Sequence, residues 1–370
     1  MKVMCMYLPQ YHSFPENDEW WGRGYTEWVA VKGAKPLFRG HCQPRVPLGG
    51  DYYDLDKDGQ ATLKRQAALA KQYGVYGFSI YQYYFNGKTL MEKPLQTLLA
   101  DPSIDIRYNI CWANETWTRT WYGQSDQILI AQEYGNRDDW KKYFDYLLPF
   151  FKDKRYIKVG NRPVWQIYKT FDIPCFFEMA GCFNEWAREA GFDGVYIISG
   201  KTAAGSDDRS GLIDGYYYFE PGYTLKYDLS VAGKVSYYGG TYFRSLRNRI
   251  IGEGSGHVLE RKVDARRIMG AISKRDYADN EFPGLIPDWD NTPRRGYKGL
   301  VYMNTSPQLF EDTLRALKKK VEGHQVDFVY VNAWNEWGEG AFVEPDEERG
   351  YAYLEAIKRT TDDQHCNDSL

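Results

Sequence analysis

Short runs of β-branched and aromatic residues alternate with helix-patterned stretches along the whole chain, and this alternation restricts the fold more than any other feature. The strand-like runs are "KVMCMYL" (2–8), "VYGFSIY" (75–81), "IRYNICW" (106–112), "PVWQIYK" (163–169), "GVYIIS" (194–199), "DGYYYFE" (214–220), "FPGLIPDW" (282–289) and "DFVYVNAW" (327–334). Helix-like stretches lie between them at 57–73, 90–100, 137–151, 174–190, 236–251, 258–275, 306–322 and 349–360. Several carry apolar residues at i, i+3 and i+4, as in "LFEDTLRALKKKVEG", whose basic last turn and closing Gly323 suit a helix C-terminus. Strands alternating with helices call for a parallel sheet. Eight such units in 370 residues, without a low-complexity linker or a visible repeat, predict an α/β fold: a single (β/α)8 TIM barrel over 1–362, with 363–370 as a C-terminal tail. A doubly wound open sheet is the alternative.

Composition narrows the function. A net charge of −3 lacks the basic surplus of a nucleic-acid binder. Aromatic residues make up 17%, with 32 Tyr against 18 Phe, and 12 Trp. Tyr and Trp join a flat apolar face to a polar handle, which suits concave, wet surfaces that hold polar ligands with CH faces, although a large core also absorbs such rings. The six cysteines (5, 42, 111, 175, 182 and 366) form no CxxC pair; Cys5 and Cys111 sit in strand-like runs as small core residues. The N-terminus meets Pro9 too soon for a signal peptide, and no run approaches a membrane span, so the chain as given reads as cytoplasmic and reducing. Five scattered histidines (12, 41, 257, 324 and 365) offer no metal-ligand spacing, and no cofactor motif is present.

The long inserts are unevenly placed. Residues 9–56 follow the first strand and 113–136 the third, both rich in Trp, Tyr, Gly and Asn. In a barrel, loops after strands form the C-terminal face, where active sites sit, so these aromatic-rich loops fall on the functional side. The eighth strand leads into "NAWNEWGEGAFVEP" (332–345), which holds three carboxylates and two tryptophans. Alternation puts Val329, Val331 and Ala333 on one face and Tyr330, Asn332, Trp334 and Glu336 on the other, which would look into the barrel with Glu336 at its mouth. Gly338 and Gly340 then let Glu339 turn back into the same cavity, and Glu344-Pro345 leads on towards the last helix.

Two converging carboxylates are the machinery of glycosidic-bond chemistry. One stays protonated to serve the leaving oxygen, and the other is ionised as base or nucleophile. Apolar walls such as Trp334 and Trp337 would raise the pKa of one, and mutual repulsion would split the pair. The plain alternative is a surface acid or a loop-pinning acceptor, the common role of an isolated Glu.

"NEWGEG", together with "MYLPQYH", "GYTEW", "YGFSIYQYYFNG", "WANETW" and "DWDNTPRRG", resembles the WbsX-type family, related to glycoside hydrolase family 99 and described as polysaccharide-biosynthesis glycosyltransferases. The resemblance runs from residue 3 to about 356. It implies a (β/α)8 barrel with Glu336 and Glu339 as the catalytic pair. In family 99, which cleaves internal α-mannosidic linkages, the first Glu takes the proton of the sugar 2-hydroxyl. That oxygen attacks the anomeric carbon to give a 1,2-anhydro sugar, with overall retention, while the second Glu acts as acid and then base. Carried over, Glu336 is the base and Glu339 the acid/base. Mannose specificity is not carried over.

Further candidates for binding a sugar come from the ends of other strands. "YLPQYH" offers Tyr7, Gln10 and His12; "SIYQYYFNG" offers Tyr81, Tyr83 and Tyr84; "CWANETWTRTW" offers Trp112, Asn114, Glu115 and Trp117. Barrel packing is the alternative for the tyrosines, a structural role for His12, and an Arg-pairing role for Glu115, the main rival carboxylate. "DWDNTPRRG" offers Asp290, Asn291, Arg294 and Arg295, as a structural ion pair or as a bidentate grip on an anionic substituent. Trp334, Asn335 and Trp337 complete the set. The expected partner is an oligo- or polysaccharide substrate, with no nucleic acid. Two other functions compete: a nucleotide-sugar glycosyltransferase, for which "DLD" (54–56) and "DWD" (288–290) spell a metal motif, and a non-catalytic glycan-binding protein. Against the first, no GxGxxG or Walker loop appears, and "GEGSGH" (252–257) is merely glycine-rich.

Overall fold

A computed structural model describes residues 1–118, 127–207, 209, 211–251 and 256–362. The expected tail with Cys366, part of the 113–136 insert and most of "GEGSGH" lie outside these residues.

Eight parallel runs close on themselves. In chain order they are β1 (Lys2–Tyr7), β2 (Val75–Phe85), β3 (Arg107–Trp112), β4 (Arg162–Ile167), β5 (Tyr196–Lys201), β6 (Gly215–Tyr218), β7 (Glu281–Phe282 and Gly284–Leu285) and β8 (Phe328–Val331). Each pairs in parallel with the next, and β8 returns to β1 with Val3 opposite Val329. Closure rests on the divided β7. Its first piece sets Phe282 opposite Tyr217 of β6; its second sets Gly284 opposite Tyr330 of β8. Pro283 between them has no N–H to give to a ladder, while its carbonyl accepts the Tyr330 N–H at 2.8 Å. The closed barrel decides against the open-sheet alternative.

Inside the barrel, Ser79 donates to Gln166 Oε1 at 2.7 Å and Asn109 Nδ2 to the same oxygen at 2.9 Å, so these buried polar groups satisfy one another. Tyr330 faces inward as its alternation requires, packing on Tyr217 with ring centroids 5.0 Å apart. Burial pushes the Cys111 thiol up to about 12, and Cys5 rises too, which keeps both as inert core groups.

The helices are α1 (Pro15–Trp21), α2 (Glu27–Gly33), α3 (Gly59–Gln72), α4 (Lys93–Ala100), α5 (Arg137–Lys152), α6 (Phe176–Glu189), α7 (Gly222–Tyr227), α8 (Val231–Ile251), α9 (Ala265–Lys274), α10 (Thr292–Arg295), α11 (Pro307–Lys320) and α12 (Ala352–Asp362). Local chemistry starts them. Asn136 and Asp139 make a capping box for α5, and Ser306 accepts the Leu309 N–H ahead of Pro307 in α11. All eight helix-like stretches hold a helix, but the stretch 258–275 divides. Arg261–Asp264 is a strand paired with Leu300–Met303, and α9 begins only where Asp264 caps it by accepting the Arg266 N–H. Among the described residues, no helix separates β5 from β6, and no helix is long and apolar enough to cross a membrane.

Candidate active site

A cavity of about 340 Å³ opens at the C-terminal ends of the strands. The residues that line it follow from chain order: Leu8 and Gln10 after β1, Tyr81 and Tyr83 on β2, Ala113, Glu115 and Trp117 after β3, and Tyr168 after β4. Phe219 follows β6, Trp289, Asn291, Arg294 and Arg295 follow β7, and Glu336 and Glu339 follow β8. The inserts after β1 and β3 do border this cavity, through Trp21 and through Trp117, Thr118 and Leu129.

Glu336 and Glu339 converge on one guanidinium. Arg294 Nη2 donates to Glu336 Oε2 at 3.1 Å, Nη1 to Glu339 Oε1 at 2.9 Å, and Nε to Glu27 Oε1 at 2.7 Å. Two carboxylates on one planar fork lie within reach of one sugar ring. The turn that carries them admits only glycine at its centre: a Cβ on Gly338 would lie 1.6 Å from Glu27 Oε1. Gly340 turns the chain at φ 63°, and a Cβ there would meet the Asp290 nitrogen at 2.9 Å. The Asp290 N–H donates to the Glu339 carbonyl at 2.6 Å, which fastens the segment after β7 to this turn.

The Glu336 side chain is 9% exposed and that of Glu339 22%, so Glu336 is the deeper. Burial pushes the Glu336 carboxyl up to about 8, with the Glu339 charge adding to the rise and Arg294 opposing it. Burial raises Glu339 as well, again against Arg294. Three carboxylates meet Arg294, with the charge of Arg295 also acting on Glu339, and a proton held by the pair relieves the remaining excess of negative charge.

Trp334 and Trp337 are not walls of this cavity. Regular β8 ends at Val331, so the two-residue alternation does not extend to Trp334, whose ring packs on Phe78. Both indoles donate instead to Glu344: Trp334 Nε1 to Oε1 at 2.8 Å and Trp337 Nε1 to Oε2 at 2.7 Å. Gln66 and Tyr53 complete four donors to that buried carboxylate, whose pKa burial still raises to about 7. The third acid of the motif is thus an anchor for the loop, and the tryptophans serve it.

Other expected site residues also turn away from the cavity. Tyr7 donates to Gln66 Oε1 on α3, and Tyr84 stacks on Tyr143 of α5. Trp112 Nε1 donates to the Tyr84 carbonyl. His12 Nδ1 lies 3.1 Å from the Pro9 carbonyl, and burial lowers its pKa. Asn114 accepts the Lys169 N–H at 2.9 Å and donates to the Lys169 carbonyl at 2.8 Å; Asn335 does the same for Leu8, tying the segment after β8 to the one after β1. Asp290 accepts from Gln43 and Thr292 and faces His41 Nε2 at 2.7 Å. Glu115 does line the cavity, paired with Lys169 at 2.5 Å instead of with an arginine. Arg294 lines it too, with its three nitrogen positions committed to glutamates instead of to an anionic substituent.

Neither Asp-x-Asp pattern is poised for a metal. Asp288 pairs with Arg45 and Arg349, Asp54 with Lys57, and Asp56 with Lys93, and none lines the cavity. Sequence reading missed Glu27, Tyr168, Phe219 and Trp289. The last three stand just past strand ends, where barrel sites are built, and that rule alone points to them. Glu27 lay in the quoted "GYTEW" with no periodic or spacing signal to single it out.

The comparisons agree with this architecture. A GH99 endo-alpha-mannosidase from Bacteroides thetaiotaomicron superposes with a TM-score of 0.55 at 11% identity, over 99% of this chain and 98% of that one. A protein described as "Glycoside hydrolase-like protein" gives 0.58 at 16% identity, over 97% and 93%. At such identities the likeness is one of fold. Proteins from two strains of Xanthomonas campestris pv. campestris, described as "Uncharacterized protein WxcX", are 35% identical over 363 residues. That match takes in 96% of this chain and 49% of theirs, so the chain spans about half the length of these curated relatives. The family model described as "Glycosyltransferase WbsX" matches residues 3–357, from β1 past the Glu336–Glu339 turn into α12, and the chain belongs to that WbsX family.

Proposed function

We propose that this protein is a carbohydrate-active enzyme that breaks a glycosidic bond with overall retention, using Glu336 and Glu339. One observation carries the reading: a single guanidinium clamps both carboxylates in a cavity walled by Tyr81, Tyr83, Trp117, Phe219 and Trp289. Aromatic faces suit the CH faces of a sugar, and the paired acids suit the proton movements of glycoside cleavage. In the sequence of events implied by the family resemblance, Glu336 removes the proton from the 2-hydroxyl and O2 attacks the anomeric carbon. Glu339 protonates the departing oxygen, leaving a 1,2-anhydro sugar. Water then opens that ring at the anomeric carbon, giving its proton to Glu339, while Glu336 returns its proton to O2. The carboxyl nearer the surface is the one placed for exchange with a leaving group and water. Burial raises both carboxyls, so the pair retains a proton, and the route requires that proton on Glu339 with Glu336 ionised when turnover begins.

Product analysis by NMR on a panel of oligosaccharides, α-mannosides among them, reports the bond cleaved and the anomeric outcome; retention is expected, and inversion rules the anhydro-sugar route out. Glu336→Gln and Glu339→Gln each lower kcat by roughly 10²–10⁴, the usual worth of a positioned acid or base. An activated aryl glycoside, which needs no protonation to leave, restores the first step in Glu339→Gln and not in Glu336→Gln. The opposite rescue pattern exchanges the two roles, and unaltered activity in both variants leaves a glycan-binding protein.

The family description favours a second reading, in which the same pair passes the sugar to an acceptor hydroxyl during assembly of an O-antigen or capsular polysaccharide. Calorimetry with UDP-, GDP- and dTDP-sugars, with and without Mn²⁺, tests it; tight metal-dependent binding would replace the hydrolase reading.

A further inference from the structure

A second cavity, of about 350 Å³, adjoins the first along Tyr168, Phe219, Trp289 and Asn291. Charge is sorted between the two. Glu115, Glu336 and Glu339 all line the first. The second is lined by no carboxylate, and its charged side chains are Lys169 and Arg261. Lys169 is spoken for by Glu115 at 2.5 Å. Arg261 is not: its Nε donates to the Lys298 carbonyl at 3.0 Å, and among the described residues it has no carboxylate partner. A carbonyl orients a guanidinium without cancelling its charge. Lys226 adds a further cation at the rim, held by the carbonyl of Ala203, a lining residue, at 2.8 Å. Arg295, in the lining of the first cavity, has its pKa lowered first by burial and then by the charge of Arg261, with Glu339 opposing and Arg294 adding to the fall.

The walls suit a sugar as well as the first cavity's do. Tyr168 and Phe219 meet edge to face at 4.9 Å, and Thr202, with the backbone of Ala203 and Ala204 after β5, supplies polar groups. A guanidinium set against aromatic walls and oriented by a carbonyl instead of a carboxylate, as Arg261 is, is arranged for an anion brought by the ligand.

We propose that the second cavity is a subsite for a sugar residue bearing a negative charge, which Arg261 holds with Lys226 at the rim, so that the enzyme acts on an acidic glycan. The inference rests on the reading of the first cavity as the site of glycosidic-bond cleavage. A uronic acid carboxylate and a phosphate ester present the same chemistry to a guanidinium.

The test uses the full chain and ligand-observed NMR titration at low ionic strength with glucuronic acid, glucose 6-phosphate and glucose. Both or one of the charged sugars should bind roughly ten- to a hundredfold more tightly than glucose, the range of a charge-assisted hydrogen-bonded pair. The stronger of the two identifies the source of the charge. Arg261→Gln should abolish the preference and Arg261→Lys should retain part of it. Added salt should weaken the charged ligands and not glucose. The inference is overturned if the charged sugars bind no better than glucose, if they give no measurable binding, or if the preference survives in a folded Arg261→Gln. Arg261→Lys and the salt dependence decide the matter should Arg261→Gln fail to fold. Glu336→Gln separates the two readings. Preference kept with turnover lost supports both; preference lost only in Arg261→Gln, with turnover indifferent to Glu336, keeps the acidic ligand and removes the cleavage site.

Discussion

Arg294 gives each of its three nitrogens to a different glutamate, and two of those partners are the proposed acid and base. Replacing it with Met would leave three carboxylates in one place without their common cation, and removing one partner of a buried ionic cluster costs about 3–5 kcal/mol. The loss should depend on pH. Carboxyls whose pKa is raised by folding hold protons that the unfolded chain releases, so their contribution is present at low pH and is lost as pH rises through the folded value. In the wild type that window runs from the ordinary Glu value of 4.5 to about 8 for Glu336. Without the guanidinium that opposes the rise, Arg294→Met should lose stability more steeply than the wild type over this window, as followed by urea midpoints; parallel profiles would show that the arginine does not hold the pair. At this scale Glu336 and Glu339 were legible from spacing and flanking glycines. Glu27 was not, because its role exists only where α2 packs on the turn Trp337–Glu339.

The turn Trp337–Glu339 shows how one element sets a site. Gly338→Ala drives a Cβ to 1.6 Å from Glu27 Oε1, and either the clamp or the turn must yield. Activity should fall by at least roughly tenfold, since about 1.4 kcal/mol of lost positioning is enough, with kcat affected more than KM. Equal activity in a folded Gly338→Ala would mean that the clamp geometry is not needed. At the other extreme is α8. Its outward face exposes Val235, Tyr242 and Phe243 at 67%, 64% and 70%. The triple change of these residues to Ser should leave stability within about 0.5 kcal/mol and the rate unaltered, as expected for surface positions outside the core; thermal unfolding and turnover together check this. Element existence was readable because periodicity of two and of 3.6 differ so clearly. The limits of alternation were not: Trp334 obeys the strand pattern in sequence, but β8 has already ended at Val331.

Barrel closure is a property of the whole molecule, and it passes through β7. A Cβ on Gly284 would stand 1.9 Å from the Tyr218 carbonyl oxygen, at the seam where β7 leaves β6 for β8. Gly284→Ala should therefore cost about 3 kcal/mol, the upper end for overpacking, and it should lower the cooperativity of unfolding, since every strand depends on closure. A denaturation curve superimposable on the wild type would contradict this. Eight strands, the helices between most of them, the parallel sheet and the acidic turn after the last strand follow from the order of residues alone, because backbone periodicity and glycine placement are local. The rest needed contacts between residues far apart in the chain. Arg294 gathers glutamates from α2 and from the turn after β8, the tryptophans turn to Glu344, and Arg261 faces a cavity without a carboxylate, because burial and pairing depend on neighbours that only the closed barrel supplies.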